Sequence, residues 1–117
     1  MTQSSGVFTF PSTGYWWINY RVVAVGNSDG DIRYAGGTIK VTTDNSTYSN
    51  VATGYNGCNN HGLDYYMTTS MDFIFDVTST TNCKVKFNFG ASVSGTTCQG
   101  DTNENRTCMT FIRLGNT

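Results

Sequence analysis

The sequence predicts an all-β domain built as an antiparallel sandwich or barrel, and three observations lead there. Strand-like runs recur about every ten residues, broken by clusters of Gly, Asn, Asp and Ser. No segment keeps a helical period beyond two turns. Charged residues make up only 13% of the chain, about half the usual share, and Gly, Thr, Ser and Asn take their place. At 117 residues the chain suits a single domain, 1–117, that buries roughly two-thirds of its unfolded surface. An aromatic content of 14% is too high for a disordered chain.

Residues 1–5 read as a flexible start, and residues 7–10 as a first short strand with Phe8 and Phe10 on one face. Pro11-Ser12-Thr13-Gly14 is a turn with proline where a fixed φ helps. Residues 15–25 form the longest β-branched and aromatic run of the chain. Trp16, Ile18, Tyr20, Val22 and Ala24 share one face of it, and Phe8, Phe10, Trp16, Ile18, Tyr20, Val22, Phe73, Phe75, Val85 and Phe87 are assigned to the core. The other face mixes Tyr15, Trp17, Asn19, Arg21, Val23 and Val25, whereas a solvated face should be polar. Trp17, Val23 and Val25 therefore need cover from another sheet, a loop or another subunit, and are assembly candidates.

Residues 26–31 are a turn by composition. The acidic pair in it lacks the glutamate that closes a calcium loop. Residues 32–43 make the next β region, where Gly36-Gly37 marks a bulge or close backbone approach. A turn at 44–47 leads to a weaker strand at 48–53, and residues 54–62 are the least regular part. Phe73, Phe75 and Val77 share a face opposite Asp72 and Asp76; Val85, Phe87 and Phe89 alternate with outward lysines. Across the short connection 78–82 these two runs read as the best hairpin in the sequence. A flexible polar stretch, 90–106, precedes a closing strand at 107–114 that carries Phe111, a further assembly candidate.

Little in the chain points to chemistry. It has no nucleophile elbow, phosphate loop or zinc helix, and the paired carboxylates Asp72 and Asp76 lie near 13 Å apart along a strand at ~3.3 Å per residue. No enzyme activity, cofactor or metal is expected. Cys58, His61 and Asp64 fall three apart, but no fourth ligand accompanies them. The net charge of −1 with scattered Lys and Arg speaks against nucleic acid. No apolar run approaches the ~20 residues that cross a bilayer, so no membrane insertion is expected. The start of the sequence lacks the basic and apolar segments of a secretory signal, which suits a protein that works where it is made or leaves within a larger particle.

Four cysteines, Cys58, Cys83, Cys98 and Cys108, allow three pairings. Cys83 shares strand parity with Val85 and Phe87 and reads as a small buried hydrophobe. Cys98 and Cys108 flank a polar loop between strands, so a bridge between them is an option, worth roughly 2–3 kcal/mol; a reducing cytosol opposes it. Tyr48, Tyr55, Tyr65 and Tyr66 fall in or beside loops, where a flat ring with a polar tip suits contact with a sugar or receptor.

Gly6-Val7-Phe8-Thr9-Phe10-Pro11, with Gly14, Tyr15, Ile18 and Tyr20 after it, resembles the opening motif of the complement-globular-head and tumour-necrosis-factor-like jelly roll. Residues 109–115 resemble that family's closing strand, and residues 73–77 with 83–87 the hairpin before it. The similarity is closer to the version in virion structural proteins of tailed bacteriophages, through residues 8–14, 42–48, 75–87 and 110–115. The resemblance implies a jelly-roll sandwich that forms homotrimers, as a capsid decoration module or tail-fibre tip contacting other virion proteins and a host glycan or receptor. It places the protein in the virion, assembled in the host cytoplasm. The rival expectation is a carbohydrate- or receptor-binding module of a secreted or surface protein. Family members carry a further strand or two before the opening motif, pairing with the closing strand. Only residues 1–5 stand there, so either the chain is the C-terminal part of a longer one or the closing strand is an open edge.

Overall fold

In the computed structural model, which describes residues 1–26, 31–59, 62 and 64–117, strand β3 (Gly14–Gly26) forms the spine of one sheet. Its alternation decides its placement. Trp16, Ile18, Tyr20, Val22 and Ala24 are all buried on one side. β6 (Tyr65–Val77) runs antiparallel to it along its whole length, from Gly14 opposite Val77 to Gly26 opposite Tyr65. The other side of β3 is shared by β9 (Cys108–Gly115) and the two-residue β8 (Thr97–Cys98).

The second sheet has five strands in the order β1-β2-β7-β4-β5, from β1 (Thr2–Ser4), β2 (Val7–Thr9), β7 (Lys84–Ala91), β4 (Ile32–Thr42) and β5 (Ser49–Cys58). Every pairing is antiparallel. The protein is thus all-β, two antiparallel sheets enclosing a common core. That core holds Phe10, Trp16, Ile18, Tyr20, Val22, Ile39, Val41, Met71, Phe75, Val77, Cys83 and Val85, with Phe8, Phe73, Phe87 and Phe111 packed half-buried against it. A smaller cluster at the far end joins Ala24, Ile32, Ala35, Tyr65 and Met67.

The crossing from β2 to β3 is set by local chemistry. Phe10 is buried against Trp16 and Phe75, at 5.5 and 5.7 Å between ring centroids. The Trp16 indole N–H donates to the Ser12 carbonyl at 3.1 Å, which ties the turn to the strand it starts. Gly14 closes it at φ +128°, where a Cβ would overlap the Gly115 carbonyl.

Several expectations need correction. Residues 1–5 are not a flexible start. Thr2–Ser4 folds back on β2 through Ser5 and Gly6, both at positive φ (50° and 77°), the backbone that tight two-residue hairpins use. The hairpin expected between residues 72–77 and 83–89 does not form, because β6 pairs β3 while β7 pairs β2 and β4 in the other sheet. Each of these runs has one apolar face, and facing each other across the core satisfies both faces as well as lying side by side. Residues 54–58, expected to be irregular, continue β5. The stretch 90–106 is not loose: β7 extends to Ala91, β8 follows, and the Gln99 N–H donates to the Val23 carbonyl at 2.8 Å.

The bulges in β4 fall on either side of Gly36-Gly37, at Ile32/Ala35 and Ile39/Lys40, whereas Gly37 is a close approach whose Cβ would overlap the Tyr20 ring. In the 44–47 turn, Asp44 Oδ1 accepts from the Thr42 hydroxyl (2.7 Å) and from the N–H groups of Ser46 (2.8 Å) and Thr47 (2.7 Å). The expected turn at 26–31 lies largely outside the described residues, as does His61.

Candidate assembly surface

An isolated sandwich presents two outer sheet faces to water, and those of this protein differ. On the outer face of β6-β3-β9 the register lines up Ile74, Trp17 and Ile112 in a row across all three strands. Ile74 is 55% exposed and Ile112 48%, with Trp17 half-buried between them. Tyr15 and Leu114, at 42% and 56%, extend the band towards the β2–β3 turn. Asp72 and Asp76 border it on β6, and Oδ1 of Asp76 is buried without a hydrogen-bond partner. Contiguous exposed apolar surface on a sheet is a contact site in waiting. Covering the remaining halves of Ile74, Ile112 and Leu114 is worth about 1 kcal/mol each.

The sequence groups Trp17 with Val23, Val25 and Phe111; the structure separates them. Val23 and Val25 are each only 8% exposed. The chain's own segment 97–107 lies along the edge of β3 here, where the Gln99 N–H donates to the Val23 carbonyl and the Val23 N–H donates to the Thr107 hydroxyl. Phe111 points inward opposite Ile18, against Phe8, Phe10 and Phe87 at 5.5–6.2 Å between centroids. Of the four candidates only Trp17 lies in the exposed band. Ile74, Ile112 and Leu114 were missed, although the alternation of Asp72, Ile74 and Asp76 places Ile74 outward on parity alone.

The loop tyrosines do not form one surface. Tyr65 is buried in the smaller cluster beneath Gly26, where a Cβ would lie 2.5 Å from its ring. Tyr66, the next residue, is 64% exposed on the outer face of β6. Tyr48 stands under the Lys86 ammonium, 3.9 Å from its ring centroid. Tyr55 lies within β5 and meets Tyr34, which the sequence reading passed over, edge to face at 5.1 Å; both are about half exposed.

All four cysteines are free thiols. A Cys98–Cys108 bridge is ruled out by register. Cys98 stands opposite Ala24 and Cys108 opposite Arg21, three residues apart on β3 and so ~10 Å along it, beyond the ~7 Å that a disulfide spans. They also face opposite ways, Cys98 to the inner side shared with Ala24 and Cys108 to the outer side shared with Arg21. Cys98 instead contacts the Thr107 hydroxyl at 3.3 Å. Its charge, after burial, helps push the Tyr20 phenol up to about 12.

Among the described residues no ligand-sized cavity opens, and no three His, Cys, Asp or Glu side chains converge as a metal site. No protein-family model and no curated protein matches the chain.

Proposed function

We propose that this chain is a non-enzymatic structural protein of a tailed-phage virion, a jelly-roll domain that works by assembly as a homotrimer. The observation that carries the reading is the row Ile74–Trp17–Ile112, a band of aliphatic and aromatic side chains left in water across the outer face of β6-β3-β9. The jelly roll is supported by the strand path, in which the chain crosses between the sheets repeatedly and ends beside its long central strand. The virion placement is supported by the phage-like motifs at 8–14, 42–48, 75–87 and 110–115. Either a capsid decoration module or a fibre tip would use such a face against like subunits or neighbouring virion proteins.

Analytical ultracentrifugation tests assembly directly. The wild-type chain sediments as a trimer, and Ile74→Arg, which places a charge in the band without touching the core, sediments as a monomer with unchanged circular dichroism. A wild-type monomer at micromolar concentration, or a trimer indifferent to Ile74→Arg, refutes the reading. Capsid and tail genes beside the coding sequence are the outcome expected for a virion protein.

A second reading, a glycan- or receptor-binding module of a secreted or surface protein, is favoured by the exposed Tyr34–Tyr55 pair. A glycan array separates the two: binding abolished by Tyr55→Ala supports it, and silence across the array removes it.

A further inference from the structure

The two sheets differ in width. One is five strands wide and the other three, with β8 and β9 end to end along the same side of β3. Cross-sheet contacts show where the mismatch falls. β5 packs along β6, where the Asn56 amide donates to the Thr68 carbonyl at 3.3 Å and Gly54 lies against Thr69. At the opposite side Phe8 of β2 sits over Phe111 of β9, at 5.5 Å between centroids, and β1 extends further out with nothing beneath it among the described residues.

Burial records the same opening. Tyr20 is 3% exposed, yet its inward-facing neighbour across the ladder, Met109, is 37% exposed. Ile18 and Val85 are fully buried, while Phe111 and Phe8, one strand further out in each sheet, are half wet. The core is closed on the β5–β6 side and open on the β2–β9 side.

The rim of the opening is an unprotected strand edge. Among the described residues β9 pairs only with β3, so alternate residues of its eight direct N–H and C=O groups outward with no ladder partner. The other edges are blunted. β1 is three residues long, β5 pairs through two register shifts, and β6 lies against β5. β9 carries no proline, and its one charged residue, Arg113, is turned back to the Thr13 carbonyl (3.0 Å) and Asn116 (2.6 Å). Natural sheets rarely leave a long apolar edge so unguarded.

We infer that the β9 edge accepts a single extended segment of another polypeptide, which adds a strand beside β9 and closes the core between Phe8, Met109 and Phe111. The added strand has apolar residues at alternate positions, since those on its inner side meet these three side chains. One strand fits, and a second sheet does not. The overhang of β1, one strand beyond β2, roofs a slot about one strand wide at ~4.8 Å, and a second copy pairing through its own β9 would bring its β2 into the space that β1 fills.

The test uses the full chain and, as probe, a short synthetic peptide alternating valine and threonine with lysines at its ends. Hydrogen exchange followed by mass spectrometry is expected to show alternate amides of 108–115 slowed about tenfold or more by the peptide, with β5 and β6 unchanged. The same peptide methylated at alternate backbone nitrogens gives no protection. Met109→Asp removes the protection while the thermal midpoint of the free protein stays in place. Ile74→Arg keeps it, so the strand slot and the outer-face assembly fail independently. The inference is overturned if the peptide protects another edge, if it protects none, or if β9 amides slow with protein concentration alone, which would mean that copies pair through β9.

Discussion

Replacing Trp16 with alanine removes an indole that is 7% exposed, packed with its ring centroid 5.5 Å from that of Phe10 and hydrogen-bonded to the Ser12 carbonyl at 3.1 Å. Truncating a buried aromatic costs about 3–5 kcal/mol through lost transfer energy and the cavity left behind. Orphaning the part-buried Ser12 carbonyl adds about 1 kcal/mol. At roughly 4 °C per kcal/mol for a domain of this size, the thermal midpoint should fall by about 16–24 °C. Trp16→Phe, which keeps the ring and loses the donor, should recover more than half of that. The neighbouring Trp17→Ala removes a half-buried ring from the outer face, so its effect should reside in assembly. The assay is urea unfolding followed by circular dichroism, because each substitution removes one of the two tryptophan fluorophores, run at two protein concentrations. The Trp16→Ala loss should not depend on concentration, whereas the Trp17→Ala loss should, since an assembling partner stabilises by mass action. Equal, concentration-independent losses for the two variants would refute the assignment of their faces.

Three other outcomes follow from named contacts. Donation from the Thr42 hydroxyl, then from the Thr47 and Ser46 N–H groups, holds the Asp44 carboxyl well below the usual aspartate range. A depressed carboxylate stabilises the fold above its unfolded pKa near ~3.9 and loses that contribution as pH falls through the folded value, so Asp44→Asn should flatten the acid limb of the stability–pH curve. Thiol labelling of the native protein without reductant should modify exposed Cys98 first and leave the buried Cys83 untouched until unfolding, which should release four thiols; a recovered Cys98–Cys108 peptide would contradict the strand register. Gly37→Ala forces a methyl into the Tyr20 ring and should cost about 1–3 kcal/mol in chemical denaturation, against little change for Gly90→Ala, which meets open space.

How far the sequence was readable depended on whether the information was local. β3 was legible nearly to the residue, because alternation along one strand marks its buried face wherever its neighbours lie. Pairing was not. The runs 72–77 and 83–89 announce which face is apolar and say nothing about whether the partner lies beside them or across the core. The cysteine pair failed for the same reason, since their separation is fixed by register on β3, not by the nine residues between them. Among the surface candidates, parity was sufficient for Ile74 and for the opposite fates of Tyr65 and Tyr66, adjacent residues on opposite faces of β6. The polar segment 97–107, which pairs along β3 at Val23, has no strand pattern strong enough to announce it.

That segment has a consequence for synthesis. Val23 donates its N–H to the Thr107 hydroxyl, 84 residues away, and accepts from Gln99 through its carbonyl; further along, β9 fills the same side of β3. During translation β3 can meet β6 as soon as residue 77 has emerged, but its other flank stays bare until residues 97–115 arrive. At roughly 5–20 residues per second that is an interval of a few seconds in which a long apolar ladder stands half-built. Neighbouring nascent chains on one message carry the same exposed flank, so crowding of ribosomes should lower soluble yield, and slower initiation should restore it.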